Sequence, residues 1–252
     1  MIFFKHNVSK SKKGLYFLAI TLGSALTLNA FAQNHNSSAT SDLDYVNAVF
    51  SVSYNNTPAS GDANLSIRNN QNTYDVNFSL KHSLLDATQS AQFIGKSCDI
   101  TPTTYQSSTN PILRSSTKES LNFNWHGNTA IRQHNKDGEM QFDLSQGVYD
   151  PMSLYFKARC DLMAGKKQLS YPLIYKGRQT THHYNVIGTE QIKTGVGEFE
   201  ALVVQRQRSN PDRRTTFYVA PALNYLIVKI HHRENSLATV SMTLKSLDYQ
   251  NK

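Results

Sequence analysis

The sequence predicts an all-β protein: an antiparallel meander that closes into a barrel or a curved half-barrel, with one short central helix. Three observations predict it. Apolar and polar residues alternate with a period of two along most of the chain, as in strands with one buried and one wetter face. Clusters of Asn, Asp, Gly, Pro and Ser separate these segments. A clear helix start occurs once, near the middle.

The elements follow in order. Residues 33–44 are rich in Asn, Ser and Thr and read as a flexible lead-in to a single domain, 45–252. Val46, Ala48, Phe50, Val52 and Tyr54 share one face of the first strand. Asn55-Asn56-Thr57-Pro58 and Ser60-Gly61-Asp62 read as turn material between the first and second strands, and Asn69-Asn70-Gln71-Asn72 as the turn before the third. Tyr74, Val76, Phe78 and Leu80 give the third strand its apolar face, and Leu84-Leu85-Asp86 reads as a bend. Leu121, Phe123 and Trp125 alternate before the turn Lys136-Asp137-Gly138, and Met140, Phe142 and Leu144 after it. Asp150-Pro151-Met152-Ser153 then opens the helix: Asp150 is placed to cap free N–H groups, and Pro151 suits the first helical position. Leu154, Tyr155, Ala158 and Leu162 follow at helical spacing up to Ala164-Gly165.

Beyond the helix, Phe199, Ala201 and Val203 face one way and Leu202 and Val204 the other, so this strand is expected to be buried on both sides. Asn210-Pro211-Asp212 reads as a hairpin turn, and Ala238, Val240, Met242 and Leu244 mark the last strand. A meander this long has to close or cover its edges to avoid pairing with other chains. A membrane barrel needs a lipid-facing apolar band and strands of about 9–11 residues. Several segments here are shorter and a helix interrupts them, which argues against that geometry.

The formal charge is +8, from 26 basic and 18 acidic residues. Part of it belongs to the N-terminus. Lys5, Lys10, Lys12 and Lys13 precede the apolar run 14–28, and Ala30-Phe31-Ala32 supplies a cleavage box. Residues 1–32 therefore read as a secretory signal peptide that exports the protein to the periplasm. Removing its four lysines halves the charge to +4, too little for a nucleic-acid surface. The two cysteines, Cys98 and Cys160, are expected to pair as a disulfide in an oxidising compartment.

From Val186 the order of residues resembles a known family. Val186-Ile187-Gly188-Thr189-Glu190 precedes Thr194-Gly195-Val196-Gly197-Glu198-Phe199-Glu200-Ala201. Then come Thr216-Phe217-Tyr218-Val219-Ala220, Asn224-Tyr225-Leu226-Ile227-Val228-Lys229 and a closing Leu244-Lys245-Ser246-Leu247. Together with Asp150-Pro151-Met152-Ser153-Leu154-Tyr155, this resembles the bacterial exported domain-of-unknown-function family numbered 3108. The chain departs from that pattern at Tyr218, where the family favours Trp, and at Ile227, where it favours Pro. The resemblance implies an envelope protein of antiparallel β-structure and carries no catalytic residue.

The chemistry-bearing residues are few. Arg206, Arg208, Arg213 and Arg214 flank the Asn210-Pro211-Asp212 turn, and the first three are candidates to hold a carboxylate or phosphate. With a two-residue loop Arg213 lies opposite Arg208, and Arg206 continues the Leu202–Val204 face inward. His182-His183 and His231-His232 each put one imidazole on either strand face, so neither pair forms a metal site by itself. No motif calls for a cofactor or metal, and no G-x-S-x-G elbow is present. The favoured function is a non-enzymatic binding protein for an apolar or amphipathic envelope ligand such as a lipid. The alternatives are an assembly factor that binds an envelope protein, and an enzyme acting on cell-wall or surface glycan.

Overall fold

The computed structural model describes residues 43–82, 85–112, 115–145 and 147–250. The expected signal peptide, 1–32, and most of the lead-in lie outside the described residues. The chain folds as β1 (Tyr45–Tyr54), β2 (Thr57–Asn70), β3 (Thr73–His82), β4 (Leu85–Lys96), β5 (Asp99–Pro111), β6 (Thr117–Asn124), β7 (Thr129–His134) and β8 (Gly138–Asp143). The helix α1 (Ser153–Met163) follows. Then come β9 (Gln168–Tyr175), β10 (Arg178–Thr194), β11 (Gly197–Arg206), β12 (Arg214–Ala220), β13 (Leu226–Asn235) and β14 (Ala238–Gln250).

All fourteen strands belong to one antiparallel sheet, in the order β8 down to β1, then β14 down to β9. The first and last strands pair in its middle, so β8 and β9, which flank α1 in sequence, form its two edges. The sheet curls without a ladder between those edges. A strap before the helix spans the gap instead: Tyr149 donates to Pro172 O and accepts from Ile174 N, both at 3.0 Å. The result is the curved form of the predicted meander rather than a closed barrel.

Turn chemistry explains the tight hairpins. Asn55-Asn56, Gln71-Asn72, Ser97-Cys98 and Lys176-Gly177 all have positive φ. Two successive left-handed residues make the hairpin turn whose twist matches that of the strands, and Asn and Gly tolerate it best. The first turn is therefore only two residues long. Pro58 and Ser60-Gly61-Asp62, expected in the turn, lie within β2, where the pairing with β1 shifts register between Ser51 and Ser53. Gly195 has a different reason. A Cβ there would collide with the carbonyl of Lys245, because the β10–β11 tip folds against β14 and Gly195 donates to Leu244 O at 2.8 Å.

The alternation places apolar side chains inside the curl. Val46, Ala48, Phe50 and Val52 of β1 and Tyr74 and Val76 of β3 are buried as their period predicts, and Ala201, Val203 and Val204 bury both sides of β11. On β8 the pattern misleads: Met140 is 40% exposed, because an edge strand has a neighbour on one side only. The outward rows are polar. Asn47, Ser66, Asn77, Ser90, Gln106, Ser120, Gln133 and Glu139 are cross-strand partners in succession across eight strands. That arrangement is the inverse of a lipid-facing band. No described helix is long and apolar enough to cross a membrane.

The helix is anchored inside one end of the curl. The buried Asp150 carboxylate accepts from Met152 N (2.8 Å), Ser153 N (3.0 Å) and Ser153 Oγ (2.6 Å), while Leu154 N bonds to Asp150 O. Asp150 thus caps the free donors as predicted, although the regular helix starts at Ser153. Phe156 packs on Phe93, which stacks on Tyr74, with centroids 4.6 and 5.0 Å apart. The fully buried Arg159 donates to Asn224 O, and Asp161 accepts from Tyr171 Oη, both at 2.8 Å. Cys160 is bonded to Cys98 in the β4–β5 turn, as expected, closing a loop with a sequence separation of 62.

Two outcomes test this anchoring. Replacing both cysteines by Ser, or reducing the wild type, should lower the unfolding free energy by about 4 kcal/mol, the chain-entropy value for so long a loop. Urea titrations with and without reductant measure it, and coincident midpoints would contradict it. Asp150→Ala should cost about 2 kcal/mol in the same assay, since it removes a helix cap.

Candidate functional site

Above α1 the curl is hollow. A cavity of about 350 Å³ is walled by Phe50, Val76, Phe78, Phe217, Ile230 and Met242 from the sheet, with Leu154 and Tyr155 of the helix as its floor. A narrower lobe of about 100 Å³ runs along the helix past Ala158 toward Leu162 and Val219 and shares Leu154, Tyr155, Tyr184 and Phe217 with the main cavity. A larger hollow of about 600 Å³ on the outside of β4–β8 is an open groove lined by side chains such as Ser90, Gln106 and Gln133. The interior cavity combines enclosed apolar walls with converging polar groups, the usual anatomy of a small-molecule site.

The polar groups gather at one end of it. Strand register places Tyr184 of β10 opposite Arg206 of β11, and the inward face of β10 carries His182 two residues before Tyr184. An Arg206 guanidinium N–H donates to His182 Nε2. His182 Nδ1 lies 3.4 Å from Tyr184 Oη, and the Arg206 guanidinium sits 5.9 Å from the Tyr175 ring centroid. With Nε2 accepting, the imidazole proton belongs on Nδ1. Burial, and then the positive charges of Arg206 and Arg208, push the His182 pKa down to about 4. His182 is therefore a neutral acceptor that orients Arg206.

Arg208 also lines the cavity, but from the loop 207–213, which is longer than the two-residue turn expected. Its guanidinium donates to Thr215 Oγ1 at 3.3 Å. The Nε groups of both Arg206 and Arg208 are buried without a hydrogen-bond partner. Burial disfavours the charged form of each. The cavity lining holds these two guanidinium groups and no carboxylate.

Arg213 is placed differently. It does not line the cavity. Its Nε lies 2.8 Å from Glu234 Oε2, an ion pair by distance in which the N–H is not aimed at the oxygen. Glu234 also meets His232 Nε2 at 2.9 Å, and His232 Nδ1 meets Thr215 Oγ1 at 2.8 Å. Arg213 thus belongs to the outer rim of the mouth, and Arg206 and Arg208 to its inner wall. His183, next to His182, faces outward. Among the described residues no three His, Cys, Asp or Glu side chains converge as metal ligands do.

Sequence reasoning singled out Arg206 and its inward direction but left His182 among ordinary histidines. The period of two had the signal: His182 shares its face with Tyr184, and a shared face places it beside Arg206.

Comparison with known proteins bears on the fold. No curated protein matches the chain. Among solved structures, a beta-barrel-like protein of the domain of unknown function DUF1849 from Brucella abortus superposes with a TM-score of 0.55. The match has 11% identity and covers 83% of this chain and 99% of that one, a likeness of fold alone. In sequence, residues 49–245 match the family described as "Protein of unknown function (DUF3108)". The match spans the sheet from β1 to β14 together with α1, and the chain belongs to the DUF3108 family.

Proposed function

We propose that the protein is an exported, periplasmic binding protein for an amphipathic envelope ligand with an anionic head, directed there by residues 1–32. One observation carries the reading: two arginines enter an apolar cavity that holds no acid to balance them. Partly desolvated cations without a counter-ion are unfavourable, and a bound carboxylate or phosphate removes that cost. Arg206, steadied by neutral His182, and Arg208 take the head group, and the aromatic and aliphatic walls take the tail. The Nε–H of each arginine is buried without a protein partner.

An enzyme acting on glycans has less support. Glycoside hydrolysis needs two facing carboxylates, and the cavity lining has none.

Calorimetric titration tests the binding reading with two amphiphiles that share a tail and differ in head charge, dodecanoate and dodecyltrimethylammonium. Dodecanoate should bind and the cation should not. Arg206→Ala should weaken dodecanoate by about tenfold or more, the cost of losing a charged hydrogen bond. Equal affinity for both heads, or no binding of either, would overturn the reading.

The state of His182 has its own test. Its pKa is about 4 in the folded protein against an ordinary 6.5. Between these values the unfolded chain binds more protons, so stability rises with pH across the window and is lost as pH falls through it. His182→Gln should flatten the dependence of the unfolding free energy on pH between about 4 and 6.5. An unchanged slope would place the imidazole in water.

A further inference from the structure

In an antiparallel meander every second hairpin tip falls at the same end. The mouth of the cavity, where Tyr175, Arg206, Arg208 and Thr215 line it, lies at the end that carries the tips 54–57, 134–138, 175–178, 206–214 and 235–238 and the tip that β5 enters at Pro111-Ile112. The two most exposed large apolar side chains among the described residues, Leu237 at 81% and Ile112 at 65%, both sit on these tips. Tyr54 joins Leu237 on the adjacent tip, held there by Asn55 Nδ2 donating to Leu237 O at 2.9 Å.

The charge at this end is one-sided. Leaving aside Arg206 and Arg208 of the inner wall, the three successive tips 175–178, 206–214 and 235–238 and the adjoining end of β13 carry Lys176, Arg178, Arg213, Arg214 and Arg233 against two acids, Asp212 and Glu234. The register also sets Arg214 directly opposite Arg233. Arg233 leans on the 206–214 turn, with its Nε donating to Asp212 O at 2.8 Å and its guanidinium 3.9 Å from the Asp212 carboxylate, so this tip pair holds its cations at the surface. At the far end the β10–β11 hairpin has the opposite balance, with Glu190, Glu198 and Glu200 against Lys193.

From these observations we infer that the mouth rim docks on an anionic lipid bilayer, with Leu237, Tyr54 and Ile112 entering the interface and the arginine tips lying against lipid phosphates. Exposed apolar tips within a basic surface are the combination that holds a protein to such a membrane. Docked in this way, the apolar cavity opens toward the bilayer and an amphiphile passes between them without crossing water. This part of the inference rests on the binding reading given above, whereas the docking itself does not.

Flotation with vesicles of phosphatidylglycerol and phosphatidylethanolamine, against vesicles of phosphatidylcholine alone, tests it. The protein should float with the anionic vesicles only, and added salt should release it as screening shortens the reach of the charges. Leu237→Glu should reduce the bound fraction, and Arg178→Glu with Arg214→Glu should lower the partition coefficient by more than about tenfold. Circular dichroism would confirm that the variants fold, and the salt dependence of the wild type stands independently of them. Equal binding to both vesicle types, no binding to either, or salt-insensitive binding would overturn the inference. Dodecanoate uptake by the wild type in vesicle-free buffer separates the two claims. Uptake without flotation overturns the docking, and flotation without uptake overturns the cavity reading.

Discussion

A curled sheet whose edges do not meet has an interior that something must fill, and here α1 fills one end of it. The rest of the structure depends on how that helix is held. Asp150 caps its start, the Cys98–Cys160 bond ties it to the β4–β5 turn, and Asp161 fastens its last turns to Tyr171 of β9. Between these anchors Phe156 completes an aromatic stack with Phe93 and Tyr74. The helix fills the region beneath the cavity and stops there. The volume above it, about 350 Å³, is the space that the apolar walls enclose and the protein's own side chains leave open.

The charge at the mouth acquires meaning from that geometry. An arginine in water needs no partner, but Arg206 and Arg208 are drawn into an apolar wall with buried Nε groups unpaired. Glu234, at the rim, is already engaged with Arg213 and His232. His182 completes the arrangement by staying neutral, because burial and two neighbouring cations oppose its protonation. A protonated imidazole there would repel Arg206, and a neutral one accepts its hydrogen bond. The same end of the curl carries the exposed apolar tips, so the inner and outer surfaces of the mouth share one chemistry.

Much of this was legible in the residues. The period of two assigned the inward faces of β1, β3, β6 and β14, Asp150-Pro151 located the only α-helix among the described residues, and the Leu202–Val204 face pointed Arg206 inward. What escaped depends on partners distant in sequence. Met140 alternates as a buried residue does, yet β8 is an edge and leaves it exposed. Pro58 and Gly61 look like turn residues but lie in β2, because the Asn55-Asn56 turn already completes the hairpin. The strap at Tyr149 closes a gap that exists only once β8 and β9 have become the two ends of one sheet. The cavity was the least legible feature, since a wall residue and a core residue obey the same alternation.

The central claim is that the cavity is a site for an anion-headed amphiphile. Native mass spectrometry of the protein, expressed from its full sequence and purified without detergent, tests this most directly. The account predicts an added mass that extraction identifies as an acidic amphiphile and that Arg206→Ala with Arg208→Ala removes. A bare protein mass that no acidic lipid shifts, or an added mass that persists in the double variant, would contradict it.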